Sequence, residues 1–276
     1  MILEVVGKRG NANYHNVNYC TKVKKEGVIR MKKEDVVKQF TTPLDAGAYP
    51  LGPYRFYNRE YLNILYRTDL ESLRKVVPEP LEVKDPLVRF EIMKMPDVTG
   101  LGSYTECGQV IPVSFEGEEG DYLHAMYVDS FPAIASGREI AAYPKKLGKP
   151  SLYVDSDTLV GILDYGTLRV ATATMGYKHF PLDHSEALKE IVKPNYMLKK
   201  MPGYDGYPRI CELVRSQITD IKILGAWSGP ARLELFAHAL APMADLPVLE
   251  VVSASHILTE LSLASPTVIY DYLAEK

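Results

Sequence analysis

After Thr41, apolar and polar residues alternate with a two-residue period along much of the chain, and β-branched and aromatic residues are dense. That period puts successive side chains on opposite faces of an extended backbone, so it predicts strands. The candidates are 86–95 (PLVRFEIMKM), 121–129 (DYLHAMYVD), 167–176, 209–227, 231–238 and 248–261, punctuated by Pro and Gly as in a β-rich domain. In the first run, strict alternation sends Val88, Phe90 and Ile92 to one face and Arg89, Glu91 and Met93 to the other. Glu91 then points either into a barrel interior or into water. Helical patterns are few. In TDLESLRKVVP, Thr68 and Glu71 have the spacing of a capping box, Leu70, Leu73 and Val77 share a face, and Pro78 marks the stop. In DHSEALKEIV, Asp183 and Glu186 form the equivalent pair.

Residues 1–30 read differently. They hold five Asn/His, a basic cluster at Lys22, Lys24 and Lys25, and no clear period. Without Ser and with only two Arg they fit a transit peptide poorly, so they are expected to be a loosely attached basic extension or to lie upstream of a natural start at Met31. No repeat or linker divides residues 31–276, which are read as one domain.

Composition narrows the function classes. With 276 residues, 46% of them hydrophobic, the chain can bury a sizeable core. The first 30 residues carry six Lys/Arg against two Glu, so of the net −3 the remainder sums to −7, which argues against nucleic acid as a partner. Cys20, Cys107 and Cys211 are an odd set without CxxC spacing, which suits a reducing compartment and fits neither a disulfide framework nor a zinc site. No apolar run reaches the ~18 residues of a membrane span, and no secretory signal is evident, so a cytoplasmic setting is expected, with no membrane partner. TGLGSYTECG has two glycines of a dinucleotide fingerprint but lacks the third at its spacing, and there is no Walker loop or GxSxG elbow. The six histidines show no metal spacing. Neither a cofactor nor a metal is expected.

What remains is a lysine pair, Lys145 and Lys146, in REIAAYPKKLGKP. Only a neutral amine can attack a carbonyl. At a reference pKa of ~10.4, roughly one lysine in 2,500 is neutral at pH 7, and lowering the value to ~6 costs the charged form ~6 kcal/mol. Apolar walls and a second cation are the two devices available. Ile140, Ala141, Ala142, Tyr143, Pro144 and Leu147 supply the first, and Lys146 the second. Adjacent side chains of an extended segment face opposite ways, however, so in that geometry burial is the larger effect. A solvated surface pair is the competing reading.

These residues carry a resemblance. The chain from about Met31 to Leu273 resembles the acetoacetate decarboxylase family through TTPLDAGAYPLGPY, NREY, VRFEIMKM, GSYTECGQ, GDYLHAMYVD, GREIAAYPKKLG, DSDTLVGILDYG, ATATMGYKH, PNYMLK, PRICEL and SASHIL, in that order. The resemblance implies that Lys145, first of the YPKK pair, forms a Schiff base with a 3-oxo acid substrate, that Lys146 is the second lysine of that motif, and that Arg59, Glu91 and Glu106 serve the chemistry. It implies that Tyr143 and Met126 line the substrate pocket, that no cofactor is needed, and that the chain assembles into a large homo-oligomer, a dodecamer. The fold expected is β-rich α+β: an antiparallel cone-like β-barrel with an additional sheet and few short helices. Other readings are a Schiff-base aldolase or dehydratase on the same scaffold, a non-catalytic barrel that binds a small molecule, and nucleic-acid binding through the basic arm.

Overall fold

The computed structural model describes residues 31–274. The basic extension, residues 1–30, lies outside the described residues, and so do Cys20 and His15. The chain divides into two compact units at Gly47/Ala48. In the first, helix α1 (Lys33–Lys38) buries none of its residues. Everything that follows concerns the second, which begins at Ala48.

Its strands are β1 (Tyr54–Arg67), β2 (Leu87–Val98), β3 (Gly102–Phe115), β4 (Glu118–Val128), β5 (Lys145–Leu147), β6 (Lys149–Asp155), β7 (Thr158–Tyr165), β8 (Leu168–Gly176), β9 (Phe180–Pro181), β10 (Asn195–Pro202), β11 (Pro208–Ser216), β12 (Ile218–Ser228), β13 (Ala231–Leu235), β14 (Glu250–Leu263) and β15 (Thr267–Asp271). The helices are α2 (Leu70–Arg74), α3 (Phe131–Glu139) and α4 (His184–Ile191). The large sheet runs β15-β11-β10-β4-β3-β2-β1-β14-β12-β9, and β5 pairs with β4; a second sheet runs β13-β8-β7-β6.

The large sheet curls because β11 and β12, far apart in that order, are joined through Gln217 alone. One run of chain therefore leaves the β10 side at Ser216 and enters the β14 side at Ile218, drawing the two ends together. This is the expected cone-like barrel with two departures. The ladder is not continuous between β9 and β15, and the contacts of β4 with β10 and with β5 are parallel. The second sheet and the short helices are as expected.

Two apolar cores follow from the alternation. Val88, Phe90 and Ile92 of β2 join Leu62 and Ile64 of β1 on the outer face, against Leu159, Leu163 and Ala173 of the second sheet. Each such Leu, Ile or Phe contributes roughly 1.5–3 kcal/mol on full burial. The layers approach closely at Gly161, where a Cβ would lie 2.7 Å from Ile92 Cγ2. Met93 and Met95, of opposite parity, enter the inner core with Phe56, Tyr61, Tyr104 and Met126. Glu91 shares that inner side, so the barrel alternative holds over water.

Three local readings are corrected. Asp69, one residue after Thr68, is the N-cap of α2: its carboxylate accepts from Ser72 N at 2.7 Å, while Thr68 is buried. At α4, Asp183 caps as expected, but Glu186 pairs with Lys189 at 2.7 Å. The run 209–227 is two strands, because its halves pair at opposite ends of the sheet.

Candidate active site

Lys145 enters the interior through a short sequence of backbone constraints. After α3, Tyr143 N donates to Gly137 O at 2.9 Å, and Ala142 adopts φ 71°. For a residue with a Cβ, this left-handed conformation costs roughly 1–2 kcal/mol. The turn it makes leads through Pro144 into β5, where Lys145 lies in register with Met126. The edge of β4 is shared: β10 takes Asp121 and Tyr122, and β5 takes Met126 to Val128. Between them the β3/β4 register slips, so Leu123 and Met126, of opposite parity, both face inward.

Gly137 leaves room for the lysine stem. A Cβ there would sit 2.8 Å from Lys145 Cδ, 3.1 Å from Cε and 3.4 Å from Nζ. Arg138 fixes the backbone by donating to Lys145 O at 3.1 Å. The amine ends 5.5 Å from the ring centre of Tyr104 and 5.2 Å from that of Tyr143, with the residue 6% exposed.

Glu106, 3% exposed, lies between two basic side chains. One carboxylate oxygen is 3.0 Å from Lys145 Nζ, and the other is 3.6 Å from the Arg59 guanidinium. Arg59 is aimed inward by a bulge in β1, where Asn58 has φ 51° and the register with β14 slips between Phe56 and Arg59. Its guanidinium lies 5.0 Å from the Phe56 ring centre and 4.7 Å from that of Tyr61, and it donates to Met93 Sδ at 2.8 Å. Next along the interior, Arg89 pairs with Glu91 at 2.6 Å and with Asp121 at 2.7 Å. Burial pushes the Glu91 carboxyl above its ordinary pKa, against the opposing pull of Arg89. Burial also raises the phenols of Tyr61 and Tyr143 to about 12.

These groups surround a cavity of about 50 Å³. Arg59, Glu91, Glu106, Met126, Tyr143 and Lys145 all line it. Lys146 does not line it. As the alternation of an extended segment requires, its side chain leaves by the opposite face, donates to Leu240 O and lies 5.2 Å from the Tyr165 ring centre. The arginines that line the Lys145 cavity are Arg59 and Arg89. Sequence reasoning did not single out Tyr104, Asn63, Asp121 or Gly137. For Arg89 and Asp121 a signal existed: like Glu91, they are charges on the inward parity of their strands. Among the described residues, no group of three His, Cys, Asp or Glu side chains is placed to hold a metal ion.

Comparison with known proteins is decisive at this point. Residues 39–273 match the family model described as acetoacetate decarboxylase. The chain belongs to the acetoacetate decarboxylase family. The acetoacetate decarboxylase of Clostridium beijerinckii is 69% identical over 246 residues, covering 89% of this chain and all of that protein. That of Streptomyces nogalater is 68% identical over 244 residues, covering 88% of this chain and all of that protein. A solved acetoacetate decarboxylase structure superposes with a TM-score of 0.87 at 66% identity, covering 88% of this chain and all of that one. The fold extends further than the sequence signal: the enduracididine biosynthesis enzyme MppR, 19% identical, superposes with a TM-score of 0.72 over 84% of this chain and 97% of that one.

Proposed function

We infer that this chain decarboxylates acetoacetate to acetone and carbon dioxide through a Schiff base on Lys145. The observation that carries the assignment of the amine is its burial beside Glu106, at 3.0 Å, in the small interior cavity. A cavity of about 50 Å³ suits a short 3-oxo acid better than a long one.

The neutral amine of Lys145 adds to the ketone carbon, and loss of water leaves a protonated imine β to the carboxylate. That cation accepts the electron pair of the breaking C–C bond as carbon dioxide leaves. The enamine so formed takes a proton on carbon, and hydrolysis of the new imine frees acetone and the amine. Glu106 takes and returns the proton exchanged with Lys145 and the carbinolamine, since it is the carboxylate in contact with that amine. Glu91, whose burial favours its protonated form, supplies the proton to the enamine carbon. Arg59 holds the second oxygen of Glu106 and so fixes its orientation. The walls formed by Tyr104, Met126 and Tyr143 exclude water and strip solvent from the substrate carboxylate, whose charge disappears on the way to carbon dioxide.

The test is borohydride reduction in the presence of acetoacetate, with peptide mapping of the adduct and detection of carbon dioxide. A reduced adduct on Lys145 with gas release is expected. An adduct without gas would move the chain to an aldolase or dehydratase activity, and no adduct would leave a binding barrel. The cytoplasmic setting and the large homo-oligomer belong to the same reading, and native mass spectrometry of the purified chain checks the latter. Among the described residues no helix is long and apolar enough to cross a membrane.

A further inference from the structure

A second cavity, of about 340 Å³, opens at one end of the curled sheet, between the chain around Lys84, the start of β4, the middle of β14 and the end of α4. Three residues line both this mouth and the reaction cavity: Asn63, Arg89 and Glu190. They form the neck of wall common to the two spaces.

The neck has the donor set of a carboxylate site. Asn63 Nδ2 donates to Glu190 Oε1 at 2.7 Å, and Ser255 Oγ lies 2.9 and 3.0 Å from the two oxygens of Glu190, between which its single O–H is shared. The charge of Glu190 also acts on the Arg89 guanidinium. Asn63 and Ser255 are 3% and 5% exposed, so both donors are held on strands inside the barrel, whereas Glu190 stands on the last turn of a short helix at the mouth. Asn63 Oδ1 is buried with no hydrogen-bond partner among the described residues, so this amide is only half used by the resting arrangement. An amide and a hydroxyl on one carboxylate, with the Arg89 guanidinium nearby on Glu91 and Asp121, would recognise the carboxylate of a 3-oxo acid equally well.

We propose that Asn63 and Ser255, beside Arg89, form a carboxylate-binding subsite on the path to Lys145, that Glu190 fills it in the free enzyme, and that the incoming substrate carboxylate displaces Glu190 to enter. This rests on the decarboxylase reading and adds the route and the gate. Glu190 is a positioning residue: it selects what passes and takes no part in bond making. The wider mouth gives its side chain room to withdraw, with Lys193 one turn beyond it there.

The test compares wild type with Glu190→Ala and Glu190→Gln, using acetate as a competitive probe and acetone as a neutral ketone for borohydride trapping at Lys145. Removing the resident carboxylate should lower the Ki of acetate and the KM of acetoacetate by about tenfold in Glu190→Ala, the scale of one charge-assisted hydrogen bond. Acetone carries no carboxylate, so its trapping rate should change by less than about twofold, far below the effect on the anions. Glu190→Gln keeps the shape and an acceptor for Asn63, folds where the alanine variant does not, and should move both constants the same way by less. Unchanged Ki and KM would overturn the gate, and so would acetone trapping that slows in step with acetoacetate turnover. Wild-type trapping with acetoacetate tests the decarboxylase reading separately: if it succeeds while the variants bind acetate as wild type does, the gate alone has failed.

Discussion

Lys145 and Lys146 are neighbours in sequence and occupy different environments. One lies among Tyr104, Tyr143 and Glu106 inside the curled sheet; the other is exposed, on the carbonyl of Leu240 and over Tyr165. The alternation of β5 separates them, and the turn at Ala142 decides which one goes in. The charged neighbours that matter to Lys145 come from β3 and β1, as Glu106 and Arg59. Adjacency in sequence thus does not decide which charged groups meet inside.

The inner side of this comparison is most directly tested at Glu106. Glu106→Gln keeps the volume but removes the group assigned to proton exchange with the amine, so kcat should fall by about 10²–10⁴-fold. Borohydride trapping should slow with it, because carbinolamine dehydration needs the same proton. A loss under tenfold with trapping at the wild-type rate would remove Glu106 from the proton path.

Gly137 comes next, because it sets how precisely the amine is held. A methyl group there meets the lysine stem at 2.8 Å, so Gly137→Ala should displace Nζ. Misplacing a reacting group by about 1 Å costs as much as 10²-fold, and a kcat lower by about ten- to a hundredfold is expected. The helix itself gains about 0.5–1 kcal/mol from Gly→Ala. A melting temperature that holds or rises while kcat falls would identify a positioning role. Parallel loss of both would reduce Gly137 to a packing position.

These residues also show what could be read from the sequence. Alternation in β2 gave the facing of Val88, Phe90, Ile92, Met93 and Glu91, since a regular strand needs only period two. The family resemblance supplied Lys145, Glu91, Glu106 and Arg59, all of which line one cavity. Strand β1 was not recognised, because the bulge at Asn58 breaks its alternation, and the same bulge turns Arg59 inward. Nor was β3, which carries Gly108 and Pro112. The split of 209–227 at Gln217 was hidden because the two halves are each strand-like, and only their partners differ. The neck needed three dimensions, since Asn63, Glu190 and Ser255 belong to three distant elements. Irregularities that steer a functional side chain also blur the local pattern from which it would be read.

Glu91 tests the same interior through pH. Burial raises its carboxyl pKa in the folded state, so the folded chain binds this proton more tightly than the unfolded chain. The sign follows: the penalty is absent at pH below the unfolded value, grows as pH rises from there to the raised folded value, and is constant above it. Wild type should therefore lose melting temperature relative to Glu91→Gln across that window, and the gap should stop changing beyond it. A gap that is flat with pH would mean that Arg89 fully offsets the burial of Glu91.

The outer lysine should respond least. Lys146 lies outside the reaction cavity, and its amine is satisfied by the Leu240 carbonyl on the far face of β5. Lys146→Ala removes that contact and the one over Tyr165, which at an exposed site contributes about 0.5–1 kcal/mol to stability. The pH dependence of kcat/KM should keep its wild-type midpoints, because the ionisable groups facing Lys145 are Glu106, through it Arg59, and the phenols of Tyr104 and Tyr143. A displaced acid limb in Lys146→Ala would show that its charge reaches the amine through the strand despite the opposite facing. Direct contact would then be too narrow a criterion for which cations govern this site, and the next charge to remove would be Arg138, whose guanidinium holds the Lys145 carbonyl.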